Sequence, residues 1–254
     1  ICVDSPSAKS CVAAIPFCKK PGLINSVSLE GDKIDTIFPV IADTDWECVA
    51  LLCDNDGIPD SVERRMKIFF GIMEKAKQYG IAPGRLHIDP LVVTLGTDQT
   101  ALTVFADCCR RIKYEYPDIH ITSGLSNISF GLPQREIINA AFFTMAMQNG
   151  LSAAIINPNS EAMMRAYYSF RALMNLDPQC SEYISVYSGQ VASLGQSAVT
   201  GNGGSAAGSA AGAAGGQGTS DLHASIVKGL KDQAVHAARE LLETQDALDV
   251  INSQ

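Results

Sequence analysis

The chain has 254 residues, of which 46% are hydrophobic and 18% charged, enough for one large domain with a buried core plus something smaller. A formal net charge of −8, with no Lys/Arg cluster, argues against nucleic acid and against an anionic membrane as partners. No apolar run approaches the length of a bilayer span and no signal-peptide pattern opens the chain, so a cytoplasmic protein is expected.

The chain starts inside an apolar run, Ile1-Cys2-Val3, that already reads as a strand, without an initiating Met. Residues are therefore expected upstream. In chain order the further strand candidates are Gly22–Ile24, Cys48–Leu52, Arg85–Ile88, Ile119–Thr122 and Leu151–Ile156. Between them lie helical patterns at Val62–Tyr79, Thr100–Tyr114, Gln134–Asn149 and Ser160–Asn175. Gly80 and Gly150 stand where helix C-caps are expected. Strand then helix, repeated, predicts parallel strands joined by crossovers.

Each apolar run ends in polar residues: Asp4, Asn25, the Asp54-Asn55-Asp56 cluster, Asp89, the Ser123–Asn127 loop and Asn157. One βα unit every ~30 residues, with polar groups on every strand end, fits a TIM (β/α)8 barrel, whose site gathers at the C-terminal strand ends. An open doubly wound sheet also gives βα repeats but places its ligand at one switch point. The barrel is favoured. Six units are visible, so the first two βα units are expected to lie upstream of Ile1.

Residues 1–188 thus read as a barrel domain that is incomplete at its N-terminus. Residues 189–219 collapse into Gly, Ala and Ser, the composition of a flexible linker with a reach on the order of 30 Å. Residues 220–254 resume a helical pattern. Ser220 or Asp221 suits a cap, Leu222, Ile226 and Leu230 repeat at four-residue spacing, and Val235, Ala238, Leu241 and Leu242 form a second stripe. Two helices cannot close a core, so this end is expected to begin a larger helical bundle.

The eight cysteines include no CxxC pair, and the four histidines show no metal-ligand spacing. The plain reading is reduced thiols serving as small apolar residues, with no metal bound.

Four motifs could carry chemistry: VDSPS at Val3–Ser7, INSVS at Ile24–Ser28, HIDPLV at His87–Val92 and GLSNISFGLPQR at Gly124–Arg135. Asp4, Asn25 and Asp89, at separate strand ends, would share one mouth. Two carboxylates and an amide make an acceptor-rich pocket suited to a flat ring that offers a row of N–H donors, as a pterin does. Each alone could equally be a turn former. Pro90 keeps Asp89 extended. Asn127 would project over the pocket, and Arg135 could stack on a ring, meet an anionic tail or simply start a helix in solvent.

These motifs resemble those of the pterin-binding methyltransferases, which include the methyltetrahydrofolate:corrinoid protein methyltransferases and the folate domain of cobalamin-dependent methionine synthase. The resemblance covers roughly residues 1–185. It implies a TIM barrel, pterin-binding carboxylates at Asp4 and Asp89, a pterin-binding amide at Asn25, and a catalytic asparagine at Asn127 beside N5 and the transferred methyl. Arg135 is expected among the folate-binding residues. The C-terminal helical pattern is similar to the start of the cap that covers methylcobalamin.

The implied reaction moves the N5 methyl of 5-methyltetrahydrofolate to a cob(I)alamin or other corrinoid supplied by another domain or chain, with onward transfer to homocysteine in a methionine-synthase-like fusion. A methyl on a tertiary amine leaves only if N5 is protonated or strongly hydrogen-bonded, a state Asn127 would stabilise. The same pocket serves the reverse direction, from methylcorrinoid to tetrahydrofolate. Dihydropteroate synthase and a non-catalytic folate-binding module are rival readings. The resemblance also admits a homodimer.

Overall fold

A computed structural model of the chain describes residues 1–188, 222 and 231–246. The linker assigned to residues 189–219 lies outside them, as do Ser220 and Asp221. Two compact units are present, Ile1–Phe170 and Arg171–Gln254.

The first unit is a sheet of five parallel strands: β1 (Cys2–Asp4), β2 (Leu23–Leu29), β3 (Glu47–Asp54), β4 (Leu86–Asp89) and β5 (His120–Ile121). Their spatial order is β1-β2-β3-β4-β5, each strand beside its sequence neighbours. A doubly wound sheet would reverse at a switch point. Chain order preserved across the sheet is the winding of a (β/α) barrel. The sixth candidate, Leu151–Ile156, is held only by a single parallel bridge between Gly124 and Ile155, with Ser152 and Ala153 N–H donating to the Ile121 carbonyl.

The helices are α1 (Ala8–Ala14), α2 (Lys33–Ile41), α3 (Val62–Gln78), α4 (Ala101–Glu115), α5 (Arg135–Gln148) and α6 (Glu161–Leu173). Alternation along the strands decides which sheet face they cover. Ile24, Val27, Cys48, Ala50, Leu52, Leu86, Ile88 and Ile121 form one core with Phe38 of α2, Met66, Phe69 and Ile72 of α3, Phe105, Cys108 and Ile112 of α4, and Phe142 of α5. Each large side chain buried there contributes about 1.5–3 kcal/mol. The helix-end glycines behave as expected. Gly80 and Gly150 have φ of 72° and 105°, and the Ile81 N–H reaches back 2.8 Å to the Ala76 carbonyl to close α3.

All eight cysteines are free. Burial pushes the Cys108 thiol up to about 11 and also raises the adjacent Cys109 well above its ordinary value, so both act as apolar core groups.

In the second unit, Asp177 caps residues 181–188. Its carboxylate accepts the Glu182 and Tyr183 N–H groups at 3.0 and 2.9 Å. A helix at Lys231–Leu242 buries Ala237 against Leu222, with Ala234, Ala238 and Leu241 alongside. Of the stripe read from the sequence, Ala238 and Leu241 lie on that face, whereas Val235 and Leu242 are exposed.

Candidate functional site

Strand register carries the site. Asp4 pairs with Asn25, Asn25 with Val49, and Leu51 with Asp89. Val49 and Leu51 are two residues apart on one strand and point the same way. Asp4, Asn25 and Asp89 therefore share the sheet face opposite the helices, the inner face of a barrel. Asp4 is exposed, Asn25 half-buried and Asp89 only 6% exposed. Among the described residues, the side chains of Asp4, Asn25 and Asn127 have no hydrogen bond or ion pair.

Local sequence builds each position. Ser5 stays on the β1–β2 edge through its N–H to the Asn25 carbonyl, 3.1 Å. Ser7 then caps α1 by accepting the Ser10 N–H at 3.3 Å, so the SPS of the first motif is turn and cap chemistry that leaves Asp4 at the strand end. In the second motif the Asn25–Ser26 peptide is cis and the register on β3 shifts after Asn25.

Asp89 is the most constrained member. Its Oδ1 accepts the Leu91 N–H at 2.8 Å. Leu91 adopts φ of 63°, a left-handed conformation that costs a branched residue of order 1 kcal/mol. Burial pushes the Asp89 carboxyl up to about 6, against the opposing pull of the Leu91 and Gly124 N–H groups, the nearby Ser123 hydroxyl and the Arg65 charge. The Ser123 hydroxyl is close enough to bias the charge but meets no partner at hydrogen-bonding geometry.

Beyond β5 the chain runs beside Asp89, Thr122 N–H donating to the Ile88 carbonyl at 2.9 Å, and then turns into a 3-10 helix, Leu125–Ser129. Asn127 sits exposed on that turn. Gly124 packs against it: a Cβ there would lie 3.4 Å from Asn127 Nδ2, an ordinary contact. The turn is pinned by Leu95 N–H to the Ile128 carbonyl, 2.9 Å, and by Thr94 Oγ1 to the Phe130 carbonyl, 2.7 Å.

Arg135 reaches back to the same turn. Its Nη2 donates to the Ser126 carbonyl at 2.6 Å and its Nε to Ser129 Oγ at 3.0 Å, while the guanidinium lies 5.7 Å from the Phe130 ring centroid. The sequence suggested ring stacking, an anionic tail or a solvated helix start. In the structure the guanidinium braces the loop that carries Asn127.

Two features escaped sequence reasoning. Arg65, on α3, is 1% exposed and grips the loop after Asp89. A helical Arg among Glu63 and Arg64 carries no signal of inward orientation. Deeper on the inner face, His87 Nε2 lies 2.6 Å from Glu47 Oε2, and its ring stacks on His120 with centroids 4.7 Å apart. This cluster floors the site.

The arrangement gathers two carboxylates and an amide on one sheet face, with a second amide, Asn127, on the turn that follows β5. Among the described residues no group of three His, Cys, Asp or Glu side chains is disposed to hold a metal ion, and no helix is long and apolar enough to cross a membrane.

Comparison with known proteins adds to this picture. The family model described as "Pterin binding enzyme" matches residues 1–157. The chain is 44% identical over 189 residues to the methylcorrinoid:tetrahydrofolate methyltransferase of Eubacterium limosum, covering 74% of this chain and 70% of that protein. It is 30% identical over 147 residues to the methionine synthase of Mycobacterium leprae, covering 53% of this chain but only 12% of that protein. Among solved structures, the dihydropteroate synthase of Yersinia pestis superposes with a TM-score of 0.52 at 18% identity, over 68% of this chain and 72% of that one. That likeness concerns the fold, which is a TIM barrel.

Proposed function

Since the chain belongs to the family of pterin-binding enzymes, we propose that it is a methyltransferase that moves a methyl group between N5 of tetrahydrofolate and a corrinoid. The observation that carries this reading is the shared face of Asp4, Asn25 and Asp89, with Asn127 on a braced turn beside Asp89. The two carboxylates accept from the N–H edge of the pterin, and the Asn25 amide completes the edge. The buried Asp89 is compensated by that donor row once the ligand is seated.

A corrinoid brought by another domain or chain would supply the cobalt that donates or accepts the methyl. This chain binds the folate, orients N5 and manages its proton. In the direction toward tetrahydrofolate, the N5 lone pair forms the new N–C bond and the N5 proton leaves. In the opposite direction, N5 takes up a proton before the methyl departs. Toward tetrahydrofolate the Asn127 oxygen would accept the N5–H and leave the lone pair free, and in the opposite direction its NH2 would donate to the N5 lone pair and its oxygen would accept from N5 once protonated. Arg135 holds the turn that aims it.

The name of the Eubacterium limosum relative supports the direction from methylcorrinoid to tetrahydrofolate. The methionine synthases support the opposite one, and onward transfer to homocysteine concerns proteins of which this chain spans 12%. The helix at Lys231–Leu242 would belong to a helical cap for the corrinoid. The test is to mix the protein with methylcob(III)alamin and tetrahydrofolate. Protein-dependent formation of 5-methyltetrahydrofolate, accompanied by loss of the methylcorrinoid absorbance, is expected. No transfer in either direction, together with no folate binding, overturns the reading.

A further inference from the structure

A buried guanidinium with no carboxylate in direct contact is costly, and one beside a site carboxylate calls for a reason. Arg65 is 1% exposed, and its hydrogen bonds all go to main-chain carbonyls. Nε donates to Pro59 at 2.9 Å, in the loop that leads into α3. Nη1 donates to both Pro90 and Leu91 at 2.6 Å. Those two carbonyls belong to the segment whose left-handed Leu91 turns its N–H onto Asp89 Oδ1.

We propose that Arg65 is a positioning residue for the pterin carboxylate: from α3 it clamps Pro90–Leu91 in the conformation that fixes Asp89, and it supplies the positive charge that keeps Asp89 an acceptor. The inference rests on the folate reading above. The clamp reaches across two βα loops, so the aim of Asp89 depends on a side chain from α3. The charged and titratable groups facing this pair are few. Asp60 comes from the loop before α3, Asp98 from the loop before α4, and Cys108 and Cys109 from α4. Both thiols are held protonated by burial, and Asp60 and Asp98 favour the charged form of Arg65. Arg65 thus acts on Asp89 as a nearby cation. A neutral replacement leaves Asp89 buried without it, and the carboxyl then gives up its charge at a higher pH. A protonated Asp89 presents one acceptor less to the pterin edge.

The test is tetrahydrofolate binding by calorimetry from pH 5 to 8.5, using the full chain and the variants Arg65→Gln and Arg65→Lys, each checked for folding by circular dichroism. Wild type should bind, weakening as the pH falls below about 6. Arg65→Gln should shift the midpoint of that weakening upward by about one pH unit, so that it binds about twofold weaker than wild type at pH 7 and nearly tenfold weaker at pH 5. Arg65→Lys keeps the charge but not the three-carbonyl fork, so it should bind more weakly with the midpoint unmoved. It also carries the test should Arg65→Gln fail to fold. Adding Arg65→Gln to Asp89→Asn should produce no pH-dependent change. A folded Arg65→Gln that loses affinity equally at every pH, or an Arg65→Lys that binds like wild type, overturns the proposal while the folate reading stands. Wild type that fails to bind tetrahydrofolate at any pH overturns both.

Discussion

Asp89→Asn should make the ligand-free protein more stable at neutral pH while disabling it. The native state raises the Asp89 carboxyl from its ordinary 3.8 to about 6, chiefly by burial. Between those values the native form holds a proton that the unfolded chain has released. The linkage relation then makes native stability fall as pH rises through that window, with the full cost present above about pH 6. A gap of about two pH units is worth about 3 kcal/mol at most. Asparagine has the same shape, no charge to desolvate, and an oxygen that still accepts the Leu91 N–H. Its NH2 group replaces an acceptor with a donor beside the Gly124 and Leu91 N–H groups, a cost of about 1 kcal/mol. The variant should therefore exceed wild type by about 2 kcal/mol at pH 7.5 and fall slightly below it near pH 4. Urea unfolding at a series of pH values, followed by fluorescence of the single, buried Trp46, measures this directly. Parallel stability curves for the two proteins across pH 4–7 would refute the claim that Asp89 is held charged against burial.

Three further outcomes are expected. Asn127→Ala should lower the methyl-transfer rate by at least about tenfold and change tetrahydrofolate affinity by no more than about threefold, as steady-state kinetics and calorimetry together would show. Arg135→Ala frees the Ser126–Ser129 turn and should slow transfer several-fold, yet cost under about 1 kcal/mol in a thermal melt because the side chain is exposed. Gly150→Ala combines φ of 105° with a Cβ only 2.9 Å from Lys113 Cγ, and a melt should show a loss of about 1–3 kcal/mol.

The strands and the four longer helices were legible in the sequence because their apolar periods match the faces they bury. Helix α3 was read as Val62–Tyr79 and forms at Val62–Gln78. Helix α1 went unread because seven residues give too short a period. Helix α2 went unread because Pro39 interrupts it, although Ile34, Ile37, Phe38 and Ile41 bury one face. The sixth strand has the composition of a strand but only one bridge, since strand pairing depends on a partner that local pattern cannot report. At the site, Asp4, Asn25, Asp89 and Asn127 were visible as polar endings to apolar runs. Arg65 was not, because an arginine on a charged helix face looks solvated until the strand and loops around it are in place. Arg135 was visible as a residue, but its contacts with a turn nine residues back in the chain were not.

The central claim is that side chains far apart in sequence meet on one flat heterocycle. Calorimetric titration of tetrahydrofolate into wild type and into Asp4→Ala, Asn25→Ala and Asp89→Ala tests it most directly. The account predicts one ligand per chain and a loss of tenfold or more in each variant, with circular dichroism unchanged. Binding that all three variants retain at wild-type strength would contradict it.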